Sequence, residues 1–132
     1  MTTIEYAVRD LMLADASIVA LLVARIFPAP LIDKVYPAIT YQQISVPEDV
    51  SSHLGTSHLA NTRLQLDLWA TTYDNGITLR DNVRRVLRDY HGTVGTINIG
   101  RIKWANELSF DDPLIQIRRR TIDLLIWHYV SY

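Results

Sequence analysis

Four histidines, His53, His58, His91 and His128, are the first residues to weigh for chemistry. His53 and His58 lie five apart in the polar stretch VPEDVSSHLGTSHLA. A zinc-binding helix needs its pair on one helical face, four apart, and the chain has no cysteine to complete a ligand set. These two are expected to be ordinary loop histidines. Asp49, Ser51 and His53 supply the residue types of a hydrolase triad, but no nucleophile elbow accompanies them. HGTVG at 91–95 has two glycines yet lacks the Lys-Ser/Thr of a phosphate loop, so a turn is expected there. Asp111 and Asp112 precede Pro113 and suit a turn better than an acid–base pair. These patterns predict no catalysis, no metal and no cofactor.

The basic residues are more informative. Arg118, Arg119 and Arg120 are consecutive in an apolar stretch, so a strand there splits them between its two faces. A net charge of −1 gives no general attraction to nucleic acid. Three roles stay open for the arginines: a solvated face, ion pairs between subunits, or contact with DNA that passes by. The charge is uneven along the chain. Residues 1–75 hold 4 basic and 8 acidic groups, a net −4, and residues 76–132 hold 9 basic and 6 acidic, a net +3. That imbalance fits either chance or a polar subunit that packs head to tail against copies of itself.

The elements that position these residues follow from apolar spacing. At 132 residues, 48% apolar and 20% charged, the chain fits a single globular domain over 1–132. Its longest apolar runs, such as IVALLVA, fall far short of the ~20 residues that span a membrane. Glu5 and Asp10 argue against a secretion signal, so synthesis in the cytoplasm is expected. Thr2 and Glu5 have capping-box spacing ahead of a stripe of Ile4, Val8, Leu11 and Met12. Asp15 or Ser17 can cap a second helix bearing Ile18, Leu21 and Leu22. AITYQQIS, 38–45, predicts a strand, 46–60 a long loop, and 62–70 a second strand. Asp74-Asn75-Gly76 predicts a turn, and Leu79, Val83, Val86, Leu87 and Tyr90 a helix ended by Gly92. Two further strands are expected within 97–108 and 115–129. A bulge near Arg119 would reconcile the parity of Ile115 and Ile117 with that of Ile122, Leu124 and Ile126. The order is helix, helix, strand, strand, helix, strand, strand. It predicts an α+β domain, a mostly antiparallel sheet of about four strands with helices packed on one face.

Such a sheet shows water its second face. If Leu64, Leu66 and Leu68 face the helices, then Gln65, Asp67 and Trp69 face away. By the same parity Asp123, Leu125, Trp127 and Tyr129 face away on the last strand. Two Trp, a Leu and a Tyr are much apolar surface for a solvated face. Either the loop at 46–60 folds over it or the rings simply snorkel, or another subunit covers it. In the last case Asp67 and Asp123 are expected to find arginines across the contact, among Arg118 to Arg120.

The segment order RIFPAP, YPAITYQQIS, a polar loop, TRLQLDLWATTY, VRRVLRDY and DDPLIQIRRRTIDLLIWHY resembles the tail completion, or tail terminator, family of long-tailed bacteriophages and prophages. The likeness covers nearly the whole chain. It lies in order and spacing: Arg25 and Ile26 before the proline loop, Gln65-x-Asp67-x-Trp69, and the last strand with Asp123 and Trp127. The resemblance implies a structural protein at the head-proximal tail end of the virion, and no enzyme. It implies a six-membered ring that stops tube polymerisation and receives the head connector. The partners would be other copies of the chain, the tail tube protein and the head–tail connector protein. DNA would pass through unread. The contact residues expected are Asp67, Trp69, Asp123 and Trp127, the loop residues Pro47, Asp49, His53 and His58, and Arg118 and Arg120. Alternatives are another head–tail joining protein or, in a different class, a small ligand-binding or enzymatic α+β domain built around an apolar pocket.

Overall fold

The structure, a computed structural model, describes residues 4–23, 25–30, 35–45, 57–112 and 117–131, with side chains except at 45, 57–60, 111–112 and 130–131. Helix α1 (Ile4–Leu13) buries Ile4, Ala7, Val8 and Met12 along one stripe, with Leu11 partly buried beside them. Helix α2 (Ala16–Leu22) starts at Asp15, whose Oδ2 accepts the Ile18 N–H at 3.1 Å, so Asp15 is the cap. The capping-box residue Thr2 lies outside the described residues.

Helix α3 (Tyr73–Leu87) begins earlier than expected. Asp74-Asn75-Gly76 is its first turn and not a separate one, because Thr72 Oγ1 accepts the Asn75 N–H at 3.2 Å and fixes the start. A carboxylate at Asp74 suits the positive end of the helix dipole. Thr72→Ala is therefore expected to cost about 1 kcal/mol, read as a lower urea midpoint with unchanged m value. The helix also ends earlier than Gly92: Arg88 caps it and Asp89 takes φ +59°. Gly92 instead opens strand β4 (Gly92–Val94), so HGTVG is a strand plus a hairpin turn, with Gly95 at φ +61°.

The sheet has six strands, in the order β1 (Ile26–Pro28), β2 (Ala38–Ser45), β3 (Ser57–Ala70), β6 (Ile117–Ser131), β5 (Ile97–Asp112) and β4. Only the β1–β2 pair is parallel. The four expected strands form its centre. Three-residue strands were added at each margin, too short to carry a readable alternation. Residues 57–60, expected in a loop, belong to β3, while 46–56 lie outside the described residues. Asp111 and Asp112, expected in a turn, are the last residues of β5.

The bulge expected near Arg119 is absent. Strand β6 pairs with β3 residue for residue from Arg118 to Ser131, and Ile117 simply faces away from the helices. The register shifts lie opposite, in β5, where Gly100 and Ala105 are each one residue more than β6 supplies. Another shift lies in β2 between Gln43 and Ser45.

Leu64, Leu66 and Leu68 of β3 and Ile122, Leu124 and Ile126 of β6 do face the helices. They form one core with Ile39, Ile99 and Ile102, and with Val8, Met12, Ile18, Leu22, Leu79, Val83 and Leu87 from the three helices. That core lies wholly on one side of the sheet.

Candidate functional site

The other side of the sheet carries the residues singled out above. Register alone places them. Gln65 sits opposite Asp123, Asp67 opposite Thr121, and Trp69 opposite Arg119, while Thr40 of β2 flanks Asp67. On the far side of β6, Leu108 pairs with Thr121 and Phe110 with Arg119.

Asp67, only 7% exposed, accepts a hydrogen bond from Thr121 Oγ1 at 2.7 Å and from Arg119 Nε and Nη2 at 3.2 and 3.4 Å. Gln65 Nε2 donates to it at 3.5 Å. The Arg119 guanidinium also lies 5.3 Å from the Trp69 ring centre and 5.6 Å from that of Phe110. Trp69 donates its indole N–H to Thr40 Oγ1 at 3.1 Å. An aspartate beside a tryptophan thus has one physical reason: a single arginine serves both, as ion-pair partner of the carboxylate and as cation over the ring. Arg63 closes a second pair, with Nη2 donating to Asp123 Oδ2 at 2.8 Å.

These pairs correct the expectation of arginines reaching Asp67 and Asp123 from a neighbour. Both carboxylates are satisfied within the chain. The three consecutive arginines do split between faces. Arg118 and Arg120 lie on the helix side, where Arg118 sits 5.8 Å from the Tyr73 ring centre and Arg120 Nη1 donates to Glu107 Oε2 at 2.7 Å. Arg80 of α3 donates to the same oxygen at 2.9 Å.

Apolar surface remains in two places on this face. Leu108 and Phe110, 49% and 50% exposed, lie beside the Asp67–Arg119 centre, and partly exposed Leu125 and Trp127 with Tyr129, 47% exposed, lie further along β6, beyond Asp123. Leu108 and Phe110 escaped the sequence reading. They share parity with Ile102 and Trp104, which are on the helix side, and only the extra residue at Ala105 moves them to the opposite face.

Of the other expected contact residues, Pro47, Asp49 and His53 lie outside the described residues. His58 is described by its backbone alone, paired with Val130 in the sheet. His128 is a core residue. It is 6% exposed, shares a 2.8 Å hydrogen bond between its Nε2 and Thr62 Oγ1, and leaves Nδ1 buried without a partner among the described residues. Burial pushes its pKa below the ordinary 6.5, and the negative charge of Glu5 opposes this only in part.

Among the described residues no three His, Asp or Glu gather closely enough to hold a metal ion. None of the described helices is long and apolar enough to cross a membrane. One open cleft lies between α1 and the β1–β2 margin, lined by Glu5, Tyr6, Pro28, Ala29, Tyr41, Gln42 and Gln43. Burial pushes the Tyr41 hydroxyl pKa up.

The chain superposes on a chain of a solved structure described as "Virion of native gene transfer agent (GTA) particle", with a TM-score of 0.79 over 96% of this chain and 95% of that one. Sequence identity is 14%, so the likeness is one of fold. No protein of curated function matches the sequence. The family model "Tail completion protein gp17" matches residues 6–129. With nearly the whole length accounted for, the chain belongs to the tail completion protein gp17 family and is a phage tail structural protein.

Proposed function

We propose that the protein caps the head-proximal end of the phage tail tube as a ring of six copies, ends tube polymerisation and presents the surface on which the head connector docks. The observation that carries this reading is the second sheet face. The described helices all pack on one side, and the other holds Leu108 and Phe110 beside a braced Asp67–Arg119 centre and Leu125, Trp127 and Tyr129 further along β6. Covering a few hundred Å² of such surface yields several kcal/mol at about 25 cal/mol per Å², before the costs of association. Contacts of that size are individually weak and hold when several close a ring together. The free protein is then a monomer that assembles on the finished tube.

In this reading Trp69, Asp67 and Asp123 brace the contact surface, and Trp127 with the exposed apolar residues makes it. The segment around Pro47, Asp49, His53 and His58 contributes to the same contacts. Arg63, Arg80, Arg119 and Arg120 are committed to carboxylates, which leaves them poorly suited to reading bases. DNA passes the ring without sequence-specific contact. The protein is made in the host cytoplasm, from a phage or a prophage, and works in the virion.

The test is imaging of tails from a phage or prophage lacking this gene. Overlong, headless tubes are expected. Tubes of normal length without heads would make the protein a head–tail joining component of another kind, and normal tails bearing heads would overturn both readings.

A further inference from the structure

The sheet is unfinished at both margins, and the two gaps complement each other. On one side, β4 pairs with β5 only over residues 97–99, and backbone bonds from Asp89 and Tyr90 extend the cover to Ile102. Beyond that, among the described residues, no strand pairs with the outer edge of β5. Ala105, Asn106, Leu108, Ser109 and Phe110 are exposed there, on both faces of the strand. An exposed strand edge of this length, with apolar side chains, is a template for another strand.

On the other side, β1 covers β2 only over residues 39–41 and stops at Pro28. Among the described residues, no strand pairs with the outer edge of β2 at Gln42, Gln43 and Ile44, all exposed. This stretch floors the cleft that Glu5 and Tyr6 of α1 overhang. A bare strand edge beside a helix, with a groove between them, is the geometry in which an extended segment is captured as an added strand.

We infer that in the assembled ring the free edge of β5, residues 104–110, adds to the free edge of β2, residues 42–45, of the next copy of this chain. This deepens the ring reading and rests on it. Two observations favour a second copy as occupant. First, β5 and β2 run in opposite directions within one sheet, so two copies in the same orientation meet antiparallel. Second, the free stretch of β5 is level with residues 119–124 of β6 and that of β2 with residues 123–125, so the two are offset along the strands. Each copy must shift along its neighbour, and a stagger of this kind is what tilts the strands when a sheet closes into a barrel.

The chain has no cysteine, which makes the test direct. Gln43 and Ser109 both lie on the helix side of the sheet, opposite Leu64 and Arg120. Tails carrying Gln43→Cys with Ser109→Cys are treated with a short bismaleimide, which tolerates a residue or two of register. The monomer band is expected to pass into a ladder of dimers and higher species, while each single variant stays monomeric. Dimers from Ser109→Cys alone would mean two-fold β5–β5 pairing and overturn the proposal. Uncrosslinked monomers from tails with visible rings would overturn it and leave the ring reading standing, whereas tail ends without rings would remove both. Hydrogen exchange on the unaltered protein covers the case of a misfolded variant. On assembly, alternate amides in 104–110 and in 42–45 are expected to slow by about tenfold or more. Slowing confined to one of the two stretches overturns the inference.

Discussion

Phe110→Asp is expected to leave the isolated chain folded and to abolish tail completion. The Phe110 ring is half-exposed on the face that none of the described helices covers. Its contact within the chain is the Arg119 guanidinium, which also holds Asp67 and Trp69. Losing that cation–ring contact costs about 0.5–1 kcal/mol. A new carboxylate near Arg119 offsets part of this, so the melting temperature should move by only a few degrees. The effect on assembly is of another order. Truncating a central aromatic anchor typically costs about 2 kcal/mol or more per contact, and a closed ring repeats the loss at every contact. A charge placed there adds desolvation to it. Complementation of a phage deleted for the gene reads the assembly arm, and a thermal melt reads the folding arm. Trp127→Asp follows the same logic with a larger loss of stability, since Trp127 is partly buried. An unfolded Phe110→Asp chain would place the ring in the core, and a folded, fully active one would remove this face from assembly.

Much of this face was legible in the sequence because β3 and β6 are regular. Fourteen consecutive pairs join them without a register shift. Simple alternation from Leu64 and Ile122 therefore put Asp67, Trp69, Asp123 and Trp127 on the correct side. Strand β5 defeated the same reading. Ile102, Trp104, Leu108 and Phe110 are all even-numbered, and the extra residue at Ala105 divides them between two faces. Alanine carries no turn or glycine signal to betray such a bulge, although Gly100 marks the other one. Helix α3 failed at its ends for a different reason. Asp74-Asn75-Gly76 has turn composition, but Asp and Asn are equally at home near a capped helix start, and Thr72 decided between the two. The partners of the carboxylates were beyond reach because they depend on which strands are neighbours. Arg63 and Asp123 are sixty residues apart in sequence and 2.8 Å apart in space.

Acidification should destabilise the fold through His128. Burial disfavours its charged form, so its folded pKa lies below the unfolded value near 6.5. The unfolded chain then binds more protons in the window below 6.5. The stability that neutral His128 contributes is complete above that pH and declines as the pH falls, until the folded pKa is reached. One such group gives a slope of at most about 1.4 kcal/mol per pH unit. Of the ionisable neighbours, Glu5 on α1 acts against this shift and is outweighed by burial. Asp15 belongs to a different window. Its hydrogen bond from Arg85 holds the carboxyl below 3.8, so its contribution persists above that pH and is lost only as the folded form protonates. Urea midpoints measured from pH 8 to pH 5 should therefore fall for the natural chain. In His128→Gln, which keeps a hydrogen-bonding group near Thr62, the profile should be lower at pH 8 and flatter toward pH 5. Equal slopes in the two proteins would mean that His128 is solvated in the folded state. The hydrogen bond pinning β6 to β3 beneath α1 would then carry no penalty for protonation.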